Sequence, residues 1–389
     1  MKQHPTIAIY SGEIPSTTFI ERLIKGLSNS GSRVLLFGLI KQKTSYGKQV
    51  RVYGNKNTKV SKLWVLLRYG CLLTLFKRKQ KKRLDAILKE ANTNTFYTKV
   101  KCYPVLWHQP VIFHVQWAKG LDEWLWVQAF GIKLVLSLRG AHINYSPIAD
   151  TKLAAMYKEN FPKVDGFHAV SKAIGLEAQK YGADPQRIHT VYSGLDLNDW
   201  TVRDGSHKDK LFRMISIGRP HWIKGYTYAL DACKLLQKAG YEFEYTIVGG
   251  AKDIELLYQV ADLALQQEVR LLGALPFEQV KKHIQQSDLL LLPSMEEGIA
   301  NVVLEAMALG TLVLSTDCGG MDEVIQDGDN GFLIPLRDSE GMARKIQDIA
   351  SLTEEKKQQI RETALQTIKE KHSEAQMVEG MMALYEGLL

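Results

Sequence analysis

Glu297 and Glu305 stand eight residues apart in Glu297-Gly-Ile-Ala-Asn-Val-Val-Leu-Glu305. This Gly-led turn follows the apolar run Leu289 to Pro293 and opens a helix-like segment, Asn301 to Leu309. Glu297 falls in the loop, where the free N–H groups of a helix start favour negative charge; Glu305 falls inside the helix. A loop acid and a helix acid at a strand's carboxyl end suit a hydroxylated ligand whose phosphate meets the helix N-terminus. The same spacing also fits a capped helix with one buried or surface glutamate. Arg219 and Lys224 flank the loop Gly218-Arg-Pro-His-Trp-Ile-Lys-Gly225. A fixed guanidinium fork and a mobile ammonium at a strand end suit a diphosphate, and fit equally two solvated loop cations.

Further groups stand at strand ends of the first half. Gly12 follows the first strand, His114 closes another, and Arg139-Gly-Ala-His142 follows a third. Each fits a ligand site or a structural role. Asp327 and Asp329 form a D-x-D, but neighbouring Gly328 and Gly331 read better as a turn.

The elements that must position these groups alternate. In the first half, strands are expected at Thr6 to Tyr10, Arg33 to Leu39, Trp107 to Val115, Lys133 to Leu138, Gly166 to Ser171 and Arg187 to Tyr192. Helices are expected at Thr17 to Leu27 and Lys172 to Tyr181, with a Trp-rich helix ending near Phe130. Asp199 to Lys210 reads as a polar linker, after which the pattern restarts at Phe212 to Ile217. Strand and helix then alternate to about residue 336, and residues 338 to 389 read as helices. Two open parallel sheets follow from this order. A length of 389 residues agrees with two domains.

The bulk numbers narrow the function. An apolar fraction of 45% and a charged fraction of 24% are those of a folded globular protein. A net charge of +8 suits an anionic partner. Cys71, Cys102, Cys233 and Cys318 form no C-x-x-C pair, which argues against zinc and disulfides and fits a reducing compartment. The apolar run Leu63 to Phe76 meets six cations within Lys77 to Arg83. About 14 apolar residues are too few to span a bilayer. Such a stretch suits either an anionic membrane surface or a packed helix with a basic face. The basic run is short and no recognition motif accompanies it, so nucleic acid is not expected. No signal-like segment opens the chain, and a cytoplasmic location is expected, peripheral at the inner face of the cell membrane.

An ordered set of motifs then appears: Val170-Ser171, Ser193-Gly-Leu-Asp196, Gly218-Arg219, Lys224-Gly225, Pro293-Ser294-x-x-Glu297-Gly298, Glu305-Ala-Met-Ala-x-Gly310, Gly319-Gly320 and Glu323-Val-Ile-x-Asp-Gly-x-Asn-Gly331. Together they resemble the retaining glycosyltransferases of family 4, strongly over residues 165–336 and weakly before. Ser137-Leu-Arg-Gly140 resembles the branch that builds bacterial exopolysaccharide and lipopolysaccharide; many other members carry a His where Arg139 stands. The resemblance implies an α/β, GT-B fold of two Rossmann-like doubly wound domains. These are residues 1–198 on the acceptor side, 199–372 for the nucleotide sugar, and a helix over 373–389 crossing back to the first. It implies that Arg219 and Lys224 bind a donor diphosphate (UDP- or GDP-linked). Glu297 would hold the donor sugar near Gly298, Ile299, Ala300 and Asn301, and Glu305 the ribose hydroxyls. Gly12, His114, Arg139 and His142 would face the acceptor, a glycan or lipid-linked glycan. No metal and no cofactor are implied. A sugar-nucleotide-binding scaffold without activity and a GT-B isomerase or phosphorylase are the alternatives.

Overall fold

The structure is a computed structural model that describes residues 5–200 and 211–389. The linker expected over Asp199 to Lys210 lies, from residue 201 on, outside the described residues. The chain forms two compact units. Unit 1 comprises Met1–Val170, Ile174–Gly194 and Glu374–Leu389; unit 2 comprises Ser171–Ala173 and Leu195–Ser373.

Unit 1 contains β1 (Thr6–Ile14), β2 (Arg33–Ile40), β3 (Val50–Val52), β4 (Ile112–Val115), β5 (Lys133–Leu138), β6 (Gly166–Ala169) and β7 (Ile188–Thr190). They form a parallel sheet in the order β3-β2-β1-β4-β5-β6-β7. Its central strands are apolar on both faces because both are covered. Ile7, Ile9, Val34 and Leu36 point into one cluster, and Ala8, Leu35 and Phe37 into the other. Helices Thr18–Asn29 and Glu374–Glu386 cover the first face and share its core: Leu23 and Leu27 pack with Met377, Met381 and Tyr385.

Several local expectations change. β1 runs on to Ile14 instead of ending at Tyr10, since Gly12 at φ +83° absorbs a register shift and pairing resumes with Gly38. The strand expected from Trp107 begins only at Ile112; Trp107 and His108 end the helix Phe96–His108. The Trp-rich segment forms short 3₁₀ turns, Ala118–Gly120 and Leu125–Phe130, in place of one helix. The apolar and basic run is two helices, Lys59–Phe76 and Arg78–Glu90, broken at Lys77. Lys77 is not a solvated cation: its Nζ donates to the Trp107 carbonyl at 2.9 Å and to Gln109 Oε1 at 2.7 Å.

A buried polar chain crosses unit 1. Tyr385 Oη lies 2.8 Å from His114 Nδ1, and His114 Nε2 lies 2.8 Å from Ser137 Oγ. Ser137 Oγ lies 2.9 Å from His168 Nδ1, whose Nε2 meets the Val191 carbonyl at 3.0 Å. A carbonyl only accepts, so His168 carries its proton on Nε2. Ser137 then donates to His168 and accepts from His114, and Tyr385 donates to His114. This order holds only for neutral rings. Burial, reinforced by each other's charge and by Arg139, pushes His114 well below the ordinary histidine value. Burial, with Arg139 again, takes His168 down to about 3. In the unfolded chain these rings bind protons below about pH 6.5, while the folded chain refuses them. Stability present above pH 6.5 is therefore lost as pH falls toward 4, by up to about 1.4 kcal/mol per pH unit for each ring. Chemical unfolding followed from pH 7 to 4.5 should show this slope, reduced in His168→Asn. A flat wild-type profile would refute it.

Unit 2 contains β8 (Phe212–Ile217), β9 (Phe243–Val248), β10 (Val269–Leu272), β11 (Leu289–Leu292), β12 (Leu312–Thr316) and β13 (Phe332–Ile334). The order is β10-β9-β8-β11-β12-β13, all parallel. Counted within the unit this is 3-2-1-4-5-6, the order of dinucleotide-binding sheets. Its switch point lies between β8 and β11, where successive crossovers leave in opposite directions and open a crevice at the strands' carboxyl ends.

Candidate functional site

The loops leaving β8 and β11 meet at this switch point. The first, Gly218 to Gly225, ends in a 3₁₀ turn at Trp222–Lys224 and feeds the helix Tyr226–Lys238. The second, Pro293 to Ala300, feeds the helix Asn301–Leu309. Met295 N–H donates to the Ile223 carbonyl at 2.6 Å, which ties the loops together. Gly225, at φ +62°, sits so close to the second loop that a Cβ there would lie 1.9 Å from the Pro293 carbonyl oxygen. Gly319, at φ +57° after β12, approaches likewise: its Cβ would lie 1.7 Å from the Glu297 carbonyl oxygen. Only glycine fits either place.

This packing brings two of the sequence-predicted groups into contact. Lys224 Nζ donates to Glu297 Oε1 at 2.7 Å, with both side chains three-quarters or more shielded. Ser294 Oγ donates to the same oxygen at 2.9 Å, so the carboxylate is fixed by two donors. Arg219 is exposed at the end of β8 and has no ion pair among the described residues. Gly298, Ile299 and Ala300 are buried beside Glu297, and Ala300 caps the helix without a side-chain bond. The helix therefore presents open N–H groups at Asn301. Glu305 lies one turn into it, buried at 8% exposure. Tyr226 donates its hydroxyl to the Gly218 carbonyl at 3.2 Å, and burial raises its phenol above the usual value.

Asp327 and Asp329 belong to a turn. Asp327 Oδ1 accepts from Leu333 N–H at 2.9 Å, and Gly328 N–H donates to the Gly331 carbonyl. No cluster of three or more His, Cys, Asp or Glu side chains suited to a metal occurs among the described residues.

In unit 1 the candidates separate. Arg139 and His142 lie together after β5, and Gly12 lies at the bulge of β1. Arg139 Nη2 donates to Gln116 Oε1 at 3.0 Å, and its guanidinium stacks 4.4 Å from the Phe19 ring. Burial draws Arg139 down to about 9 and His142 down to about 4. His114 does not join them. It is fully buried, and both ring nitrogens are taken up by Tyr385 and Ser137. Its place at a strand end in sequence is misleading, because its side chain points into the core.

Sequence reasoning passed over Ser294 as a donor to Glu297, and the buried chain of Ser137, His168 and Tyr385. The signal for that chain was present: one polar residue among the buried positions of each strand, Ile112–Val115, Lys133–Leu138 and Gly166–Ala169.

Residues 199–367 match the family model described as Glycosyl transferases group 1. That match covers less than half of the chain. Among curated relatives, the amylovoran biosynthesis glycosyltransferase AmsK of Erwinia amylovora is 33% identical over 171 residues, 42% of each chain. The putative colanic acid biosynthesis glycosyltransferase WcaL of Salmonella typhimurium is 28% identical over 203 residues, 50% of each. The chain thus spans half or less of the length of these two relatives. Across 99% of this chain and all of the other, the fold matches Anabaena Alr3699/HepE, solved in complex with UDP and glucose. That likeness has a TM-score of 0.70 at 18% identity and shows the GT-B fold.

Proposed function

We propose that the protein is a retaining glycosyltransferase that moves a sugar from a UDP- or GDP-linked donor to a glycan or lipid-linked glycan in cell-surface polysaccharide synthesis. The observation that carries this is the Lys224–Glu297 pair at the switch point of a group 1 sheet, beside an open helix N-terminus. Unit 2 binds the donor: Arg219 and Lys224 take the diphosphate, Glu297 the sugar hydroxyls and Glu305 the ribose. Unit 1 takes the acceptor, with Gly12, Arg139 and His142 on that side.

In the reaction the bond from the anomeric carbon to the diphosphate oxygen breaks, and the acceptor oxygen bonds to that carbon on the same face. The acceptor's proton passes to the leaving phosphate. Negative charge grows on the diphosphate, and preorganised cations with a helix N-terminus stabilise it. Glu297 keeps Lys224 aimed before the donor arrives and orients the sugar afterwards.

The test is thermal unfolding with UDP and GDP, then turnover with a panel of their sugars. A shift with one nucleotide and transfer from its sugars is expected. Binding without turnover would favour a scaffold, and no shift with either nucleotide would overturn the reading.

The acceptor side also suggests association with the inner membrane face in exopolysaccharide or lipopolysaccharide synthesis, from a cytoplasmic location. Helix Lys59–Phe76 buries only Val65, Tyr69 and Leu73, while Leu63, Trp64, Leu67, Leu75 and Phe76 are exposed beside the cations of the next helix. No described helix is long and apolar enough to cross a membrane. Exposed apolar groups and nearby cations suit an anionic interface. Flotation with vesicles rich in anionic lipid should recover the wild-type chain. A variant with Arg78, Lys79, Lys82 and Arg83 changed to Gln should stay behind, and equal recovery of both would sink the idea.

A further inference from the structure

Unit 1 contains a cavity of about 220 Å³ at the carboxyl ends of β1 and β2, roofed by the helices Lys59–Phe76 and Phe96–His108. Its size falls short of the roughly 300–1,000 Å³ that holds a drug-sized ligand and suits a single ring. Tyr10, Phe37, Tyr53 and Tyr97 form aromatic walls. The Phe37 and Tyr53 rings stack with centroids 5.6 Å apart, which holds that wall rigid. Aromatic faces offer flat apolar area to the C–H face of a pyranose.

The polar side chains of the lining carry amides, ammoniums and phenol hydroxyls, with no carboxylate among them. Lys101 is balanced by Glu123 at 2.7 Å. Lys62 has no carboxylate partner among the described residues. Its Nζ donates to Asn57 Oδ1 at 2.8 Å and sits 4.9 Å over the Tyr97 ring. That bond uses the Asn57 oxygen and leaves the amide's two N–H donors for a ligand. Lys62 is half-buried and two of its three donors remain uncommitted.

We infer that this cavity binds one pyranose unit carrying a carboxylate, an acidic sugar residue of the acceptor glycan, with the carboxylate on Lys62. The inference rests on the glycosyltransferase reading and names the class of acceptor that reading leaves open. The sugar's C–H face lies against Tyr53 and Tyr97, and its hydroxyls meet Asn55 and Asn57. A charge-assisted hydrogen bond to Lys62 separates an acidic from a neutral sugar of the same shape.

Binding of methyl glucuronide and methyl glucoside to the full chain, followed by saturation-transfer NMR, tests this. The glucuronide should bind about tenfold more tightly than the glucoside, the margin of one charge-assisted bond. Lys62→Gln should erase that preference while retaining the glucoside. Tyr97→Ala, at an exposed ring, should weaken both. All variants should keep the thermal shift given by UDP or GDP. Equal binding of the two glycosides, an undiminished preference in Lys62→Gln, or no binding of either would overturn the inference. A chain that binds the glucuronide but shows no nucleotide shift would refute the glycosyltransferase reading alone.

Discussion

Lys224→Ala is expected to abolish the thermal shift that UDP or GDP gives the wild-type chain. A ligand at a hundred times its Kd stabilises by about 2.7 kcal/mol. For a unit of this size that is a rise of about 5–10 °C. The substitution removes the cation fixed 2.7 Å from Glu297 and leaves that carboxylate facing the place assigned to the diphosphate, where it repels. Turnover should fall by about 10²–10³-fold, the cost of one preorganised donor to a developing oxyanion. Glu297→Gln separates the two roles. Its amide oxygen still accepts from Ser294, so nucleotide binding should persist while turnover with the sugar donor falls. A Lys224→Ala chain that keeps the full shift would sink the phosphate assignment.

Gly225→Ala and Gly319→Ala should each cost about 2–4 kcal/mol, a fall of about 5–15 °C in the midpoint of unit 2. The cause is double. A left-handed backbone strains any Cβ, and here the Cβ would also strike a carbonyl oxygen at 1.9 or 1.7 Å. The loops must part to make room, and they carry Lys224 and Glu297, so activity should vanish together with stability. Gly240→Ala is the control. Gly240 has φ +72° but nothing within 4 Å, so only the backbone strain of about 1 kcal/mol remains. Equal midpoints for Gly225→Ala and Gly240→Ala would show that the close approach does not matter.

The alternation of strand and helix was readable in unit 2 because each strand is short, rich in apolar residues and closed by a turn. Leu289–Leu292 and Phe243–Val248 are examples. Loop contacts were legible only as motif spacing. That Lys224 meets Glu297 follows from the sheet order, which places β8 beside β11 across a long stretch of chain. Unit 1 was harder to read. Its second face is covered in part by the helices Lys59–Phe76 and Phe96–His108, whose sequences are apolar without a clean stripe, so their packing was hard to read. His114 shows the reverse failure. A histidine near a strand end looked like a ligand group, but strand alternation turns it inward, where Tyr385 and Ser137 take up its two ring nitrogens. Gly12 was read as following the first strand, in a ligand site or a plain turn, since a bulge that resumes pairing leaves no mark in composition.

The helix Glu374–Glu386 belongs to the core of unit 1, although about 180 residues of unit 2 precede it. Ribosomes add about 5–20 residues per second, so the sheet of unit 1 waits roughly 10–40 s for this helix after Gly194 is made. Until then Ile20, Leu23 and Leu27 lack Met377, Met381 and Tyr385, and His114 lacks the hydroxyl that satisfies its Nδ1. Unit 2 is complete before unit 1 is. The part of the chain born first is therefore the last to close, and the nascent protein must shield an open apolar face for that interval.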